Sequence, residues 1–128
     1  MNVVDSSGWL EYLADAANAG FFASAIENVS DLIVPSISLY EVFKRVHRES
    51  GEDEALKVAG QMMQGRIIEL DTPMALRAAR VSIEFGLPMA DSIILATARA
   101  HGAMLWTQDE HFKGIERVQF VEKQKPVP

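Results

Sequence analysis

Apolar residues along the chain follow two alternating rhythms. Short apolar runs bounded by polar or turn-forming residues occupy positions 1–4, 31–35, 66–70 and 103–106, and these read as buried strands. Residues 118–122, Val-Gln-Phe-Val-Glu, alternate like an edge strand. Between the strands, apolar positions recur at helical spacing. Trp9-Leu10-Glu11-Tyr12-Leu13 opens a first helix, with Ser6 or Ser7 as its expected N-cap. A second helix is predicted over 20–28, with Phe21 or Phe22, Ala25 and Val29 on one side. A third begins at Ser36 or Ser38 and runs to about Glu49, burying Leu39, Val42, Phe43 and Val46. A turn at 50–53 precedes a fourth over 54–64. Asp71 or Thr72 caps a fifth that reaches Gly86, with Pro73 in its first turn.

The most informative unit is residues 88–112. Asp91 stands at the start of a helix whose Ile94, Leu95 and Ala98 make one apolar face, and Gly102 ends it as a C′ glycine. A short strand follows, then Thr107-Gln108-Asp109. Strands alternating with helices imply an α/β protein, with a mostly parallel sheet of four to five strands between two helical layers. A single domain over 1–128 is expected, with 123–128 as a frayed polar tail.

In such a sheet ligands bind beyond the carboxyl ends of the strands. Asp5 and Asp109 each follow a predicted strand, and Asp91 opens a helix. Glu41 sits on the third helix, about 160° around the wheel from Leu39, Phe43 and Val46, so it does not belong to the buried stripe. Each acid also has an ordinary reading. Asp5 and Asp91 can cap helices, Asp109 can make an Asx turn, and Glu41 can pair with Arg45 on a solvated face. As a set, four carboxylates near one edge repel each other unless protonated or bridged by a divalent cation. All-oxygen donors select hard ions such as Mg²⁺ or Mn²⁺, with Thr107 and either Ser6 or Ser7 placed to support the acids.

Composition narrows the alternatives. Without cysteine there is no disulfide, thiolate metal site or cysteine nucleophile. A net charge of −6 argues against loose nucleic-acid binding, although local basic residues and bound cations can reverse the sign of a site. Lys44, Arg45 and Arg48 form one small basic ridge. The three histidines show no zinc-ligand spacing. His47 is read as a surface residue and His101 as a helix C-terminal residue, while His111, near Asp109, is read as a surface residue with contact to a substrate as the alternative. There is no glycine-rich phosphate loop and no Gly-x-Ser-x-Gly elbow. The N-terminal residues lack a basic stretch followed by a long apolar one, and no run approaches the ~20 residues of a membrane helix, so a cytoplasmic protein is expected.

Four pieces in order, Val3-Val-Asp5-Ser-Ser, Pro35-Ser-Ile-Ser-Leu-Tyr-Glu41-Val, Leu87-Pro-Met-Ala-Asp91-Ser-Ile-Ile-Leu-Ala and Leu105-Trp-Thr-Gln-Asp109-Glu-His-Phe112, resemble the PIN-domain ribonucleases, specifically the VapC-type toxins of prokaryotic toxin–antitoxin pairs. The resemblance spans nearly the whole chain. It implies a three-layer α/β/α fold and Mg²⁺- or Mn²⁺-dependent endonucleolytic cleavage of RNA by a metal-activated water, leaving a 5′-phosphate and a 3′-hydroxyl. Carried over residue by residue, Asp5, Glu41, Asp91 and Asp109 match the family's acidic quartet. Asp5, Asp91 and Asp109 would hold the metal, and Glu41 a metal-bound water or a second ion. Thr107 matches the hydroxyl two residues before the last acid, and Ser6 the one after the first. The resemblance further implies a homodimer silenced by a cognate antitoxin, for which Phe21, Phe22 and Ile26 are candidate contacts if they are not core. The competing readings are a metal-dependent nuclease that is not a toxin, and a non-catalytic binding module with an acidic cleft.

Overall fold

The computed structural model describes residues 1–124. Five strands, β1 (Asn2–Val4), β2 (Leu32–Pro35), β3 (Arg66–Ile68), β4 (Met104–Thr107) and β5 (Val118–Phe120), pair in parallel in the order β3-β2-β1-β4-β5. The chain runs outward from β1 through β2 to β3, then returns to the other side of β1 with β4 and β5. The order therefore reverses between β1 and β4, which puts the switch-point crevice at their carboxyl ends.

Register decides what each strand feeds. Val3 lies beside Ile33 and Leu105, and all three belong to a core shared with Met74, Ala78 and Val81 of α5 (Thr72–Phe85) and with α6 (Met89–Ala100). Val4, Leu32 and Val34 face the other way. Their core includes Trp9 of α1 (Ser6–Leu13), Phe22 and Ile26 of α2 (Ala19–Ile26), Val42 of α3 (Ser36–Ser50), and Val58 and Met62 of α4 (Glu52–Met62). A sheet buried on both faces has no polar side, which is why its strands read as runs rather than alternations. Only the outer strand β5 alternates.

The α6 helix is more deeply buried than a one-faced pattern predicts. Every residue from Ser92 to Ala98 is buried, because α5 covers the side that the sheet does not. Its two polar residues there are satisfied locally. The Ser92 hydroxyl donates to the Pro88 carbonyl at 2.8 Å and the Thr97 hydroxyl to the Ile93 carbonyl at 2.8 Å.

Several boundaries differ from expectation for identifiable reasons. The N-cap of α1 is Asp5 rather than Ser6 or Ser7; both serines lie inside the helix. The α3 helix starts at Ser36 directly after Pro35, with no side-chain cap, and Ser38 is buried one turn in. Gly51 alone, at φ 90°, separates α3 from α4, so α4 begins at Glu52. The α2 helix ends at Ile26, and Val29 falls in an exposed 3₁₀ turn (Val29–Asp31). Phe22 and Ile26 are core residues, which removes them as partner contacts. Phe21 is half-buried against Trp106, ring centroids 5.1 Å apart. Asp71 caps α5 through the Met74 amide, as one of the two expected candidates. Lys123 and Gln124 follow β5 without regular structure, and the rest of the expected tail, 125–128, lies outside the described residues.

Gly8 is where α1 approaches the sheet. A Cβ there would lie 2.6 Å from Phe22 Cε1 and 2.7 Å from Val4 Cγ1, so only glycine lets α1 settle this close to β1. Among the described residues, no single helix is long and apolar enough to cross a membrane.

Candidate metal centre

Asp5 is the first residue after β1, and its backbone is extended as an N-cap requires. Its Oδ1 accepts from the Gly8 amide at 2.8 Å, and the Ser7 hydroxyl reaches both carboxylate oxygens at 3.0 Å. Oδ2 accepts from the Thr107 hydroxyl at 2.6 Å. With only 3% of its surface exposed, the carboxyl is pushed up to about 6 by burial. The bonds from Thr107, Gly8 and Ser7 oppose that rise, and the nearby Asp109 charge adds to it.

Parallel pairing explains how Thr107 comes to Asp5. Val4 lies beside Trp106, so the next residues of β1 and β4, Asp5 and Thr107, emerge together at the carboxyl edge. Thr107 is fully buried, and its hydroxyl is used twice. It donates to Asp5, and it accepts from the Asp109 amide at 2.9 Å. One oxygen thus fixes the spacing between two acids that stand 104 positions apart. Asp109 in turn caps a 3₁₀ turn (Glu110–Phe112), its Oδ1 accepting from the His111 amide at 2.9 Å. Phe112, at the end of that turn, is fully buried in the α5–α6 core.

Asp91 lies in the first turn of α6, where the helix dipole favours negative charge. Its side chain is 19% exposed. Burial raises its pKa and the Asp109 charge adds to the rise, while a hydrogen bond to His111 holds it back. The His111 ring brings Nδ1 to 2.9 Å from Asp91 Oδ2 and 3.4 Å from Asp109 Oδ1. The hydrogen bond to Asp91 and the charge of Asp109 raise the imidazole pKa. Asp91, Asp109 and His111 each offer one donor atom within 4.8 Å of the others, a group that could hold a metal ion.

Asp5 and Glu41 lie outside that three-donor group. Asp5 is joined to it through the Thr107 hydroxyl. Glu41, half-buried on α3, accepts from the Ser6 hydroxyl at 2.6 Å, which ties it to the residue next to Asp5. The alternative partner for Glu41, Arg45, pairs with Glu49 instead.

Two features escaped the sequence. His111, expected as a surface residue, is indeed exposed at its outer side but touches both Asp91 and Asp109. Beside it, Gln108 is buried, accepting from Asn18 Nδ2 at 2.9 Å and donating to Glu11 at 3.3 Å. That network braces the loop between Thr107 and Asp109 against α1 and α2. It borders a cleft of about 620 Å³ lined by Ser7, Asp109, His111 and Lys123 among others. A second, mainly apolar groove runs between α3 and α4, with Tyr40, Phe43 and Met63 along it and Lys44 and Arg48 at its rim.

The donor chemistry fits a divalent cation. Among the described residues, no lysine or arginine forms an ion pair with Asp5, Asp91 or Asp109. Their charges are met only by hydroxyls, amides and one imidazole, so the site carries more negative charge than the protein neutralises.

The PIN domain family model matches residues 3–118, and the chain belongs to that family. No curated protein matches the sequence significantly. Among solved structures, a toxin–antitoxin complex from Klebsiella pneumoniae is similar with a TM-score of 0.78 at 22% identity, covering 93% of this chain and 96% of that one. DNA-bound VapBC from Salmonella typhimurium gives 0.72 at 16% identity, covering 94% and 96%. VapC20 of Mycobacterium tuberculosis, described as a sarcin–ricin loop cleaving toxin, gives 0.66 at 17% identity, covering 81% and 85%. At these identities the likeness establishes a shared fold, the five-stranded α/β/α architecture described above.

Proposed function

We infer that this protein is a divalent-cation-dependent endoribonuclease and the toxin of a type II toxin–antitoxin pair, acting on a structured RNA such as a transfer-RNA or ribosomal-RNA loop. The observation that carries the reading is the Thr107 hydroxyl. It locks Asp5 and Asp109 together at the switch point, where Asp91 of α6 joins Asp109. The cap on Gly8 uses Asp5 Oδ1 alone, whereas the Thr107 link adds a tether from Asp5 Oδ2 to the backbone of Asp109, which supports a site shared by several carboxylates.

In this reading Asp5, Asp91 and Asp109 hold Mg²⁺ or Mn²⁺, and Glu41 is the fourth acid. When bound, the cation supplies Lewis-acid stabilisation of the charge that builds on the scissile phosphate. The remaining roles belong to the chain. Thr107, Gly8 and Ser7 keep Asp5 oriented without reorganisation. Ser6 occupies Glu41 Oε1, leaving Oε2 to accept a proton from a water attacking in line at phosphorus. Cleavage of the P–O3′ bond, with the departing O3′ taking up a proton from solvent, then leaves a 5′-phosphate and a 3′-hydroxyl. The −6 net charge favours a partner with a basic segment over free RNA, which fits silencing by an antitoxin. A homodimer completes the assembly in this reading. The solved toxin–antitoxin complex from Klebsiella and VapBC from Salmonella support the antitoxin partner in this reading.

The test is cleavage of a small-RNA pool by the purified, partner-free protein with Mg²⁺, Mn²⁺ or EDTA. Asp5→Asn and Glu41→Gln serve as controls. Discrete cation-dependent products bearing 5′-phosphates, lost in both variants, are expected. Cleavage that persists in EDTA, or products ending in 2′,3′-cyclic phosphate, would overturn the mechanism. A folded, cation-binding protein that cleaves DNA but no RNA would transfer the activity to the non-toxin alternative.

A further inference from the structure

His111 has been given no role so far, yet its ring contacts both Asp91 and Asp109. It is held there from two directions. Its amide donates to Asp109 Oδ1 at 2.9 Å, and the next residue, Phe112, is anchored in the core. The ring presents Nδ1 to Asp91 Oδ2 at 2.9 Å and to Asp109 Oδ1 at 3.4 Å. With metal–donor bonds of ~2.1 Å, neighbouring donors in an octahedral shell stand roughly 3 Å apart. The two separations from His111 Nδ1, 2.9 Å and 3.4 Å, are close to the edge lengths of such a shell, and all three donor atoms lie within 4.8 Å of one another.

We propose that His111 is a protein ligand of the cation site through Nδ1, and that this makes the site prefer a borderline divalent cation such as Mn²⁺ or Co²⁺ over Mg²⁺. The inference rests on the cation site proposed above and adds a nitrogen donor to it. The chemistry follows from the donor set. Carboxylates alone suit Mg²⁺ and Mn²⁺ alike, whereas imidazole adds affinity along the first-row series and little for Mg²⁺. A histidine two residues after a strand-end acid reaches the same site because the 3₁₀ turn folds its ring back over Asp109.

The experiment measures cation binding to RNA-free protein. Isothermal titration gives Kd for Mg²⁺, Mn²⁺ and Co²⁺ with the wild type and His111→Ala. Pulsed electron paramagnetic resonance on the Mn²⁺ form reads nitrogen coupling. Expected are a wild type that binds Mn²⁺ and Co²⁺ more tightly than Mg²⁺, with ¹⁴N coupling to Mn²⁺. His111→Ala should lose that coupling and weaken Mn²⁺ and Co²⁺ on the order of tenfold or more, with much less effect on Mg²⁺. The residue's ring is more than half exposed, so the variant should melt like the wild type. Absence of nitrogen coupling in the wild type, or equal weakening of all three cations, overturns the proposal and leaves His111 as a solvent-facing or phosphate-contacting residue. RNA cleavage with no nitrogen coupling would defeat this proposal while sparing the nuclease. Nitrogen coupling without any RNA cleavage would do the reverse.

Discussion

Thr107→Val keeps the shape of the buried side chain and removes its single oxygen. Two groups then lose a partner. Asp5 Oδ2 loses a 2.6 Å bond, and the Asp109 amide loses its acceptor. A hydrogen bond to an ionised group is worth about 1.5–3 kcal/mol, and a stranded buried amide costs about 1–3 kcal/mol. Together they predict a loss of roughly 2.5–6 kcal/mol when Asp5 is ionised. Protonation of Asp5 relieves part of this, and the sign follows from its pKa. Burial carries the Asp5 carboxyl from 3.8 to about 6, so between those values the folded protein binds more protons than the unfolded chain. Stability therefore falls as pH rises through that window, by ~3 kcal/mol in total for the wild type. Removing the Thr107 donor raises the folded pKa further and extends the decline to higher pH. The cost of Thr107→Val should thus be smaller at pH 5 than at pH 8. Urea denaturation in EDTA at both pH values, for wild type, Thr107→Val and Thr107→Ser, measures it. An equal cost at the two pH values would refute the coupling to Asp5. A serine variant as damaged as the valine would refute the assignment to the hydroxyl.

Asp5→Asn should stabilise the cation-free protein at pH 8 by ~1 kcal/mol or more, because a buried charge is removed while the cap to Gly8 survives, and it should abolish cation binding. Thermal melts with and without Mn²⁺ check both halves, and a variant less stable than wild type at pH 8 contradicts the first. Gly8→Ala should cost about 1–3 kcal/mol by overpacking against Phe22 and Val4. A neutral result in a denaturation series would mean that α1 can withdraw from the sheet.

Much of this architecture was legible because buried parallel strands and amphipathic helices write different periods. The strand ends at Val4 and Thr107 could be placed to within a residue, so Asp5 and Asp109 could be placed at the sheet edge. Asp91 followed from the proline and glycine that bracket α6. What stayed hidden was mostly tertiary. Asp5, Ser6 and Ser7 all favour N-caps, and the folded chain selects Asp5, which is extended and accepts from the Gly8 amide. Phe22 and Ile26 carry the same pattern whether a helix packs inward or awaits a partner. His111 shows no ligand spacing, because its partner Asp91 lies 20 positions upstream on another element. Gln108 looked like a loop residue, and its burial depends on Asn18 and Glu11 arriving from α1 and α2.

The central position of β1 has a consequence for control. Its Asp5 amide bonds to the Trp106 carbonyl at 3.2 Å, and its valines feed both cores, so the backbone beneath the acids is shared with the most protected part of the molecule. Local opening there would cost nearly as much as global unfolding. Asp5 is consequently carried on the part of the chain that opens least. Withdrawing Asp5 by opening β1 is therefore the costliest route to silence, and the proposed antitoxin, by covering the crevice, would silence the site for as long as it stays bound.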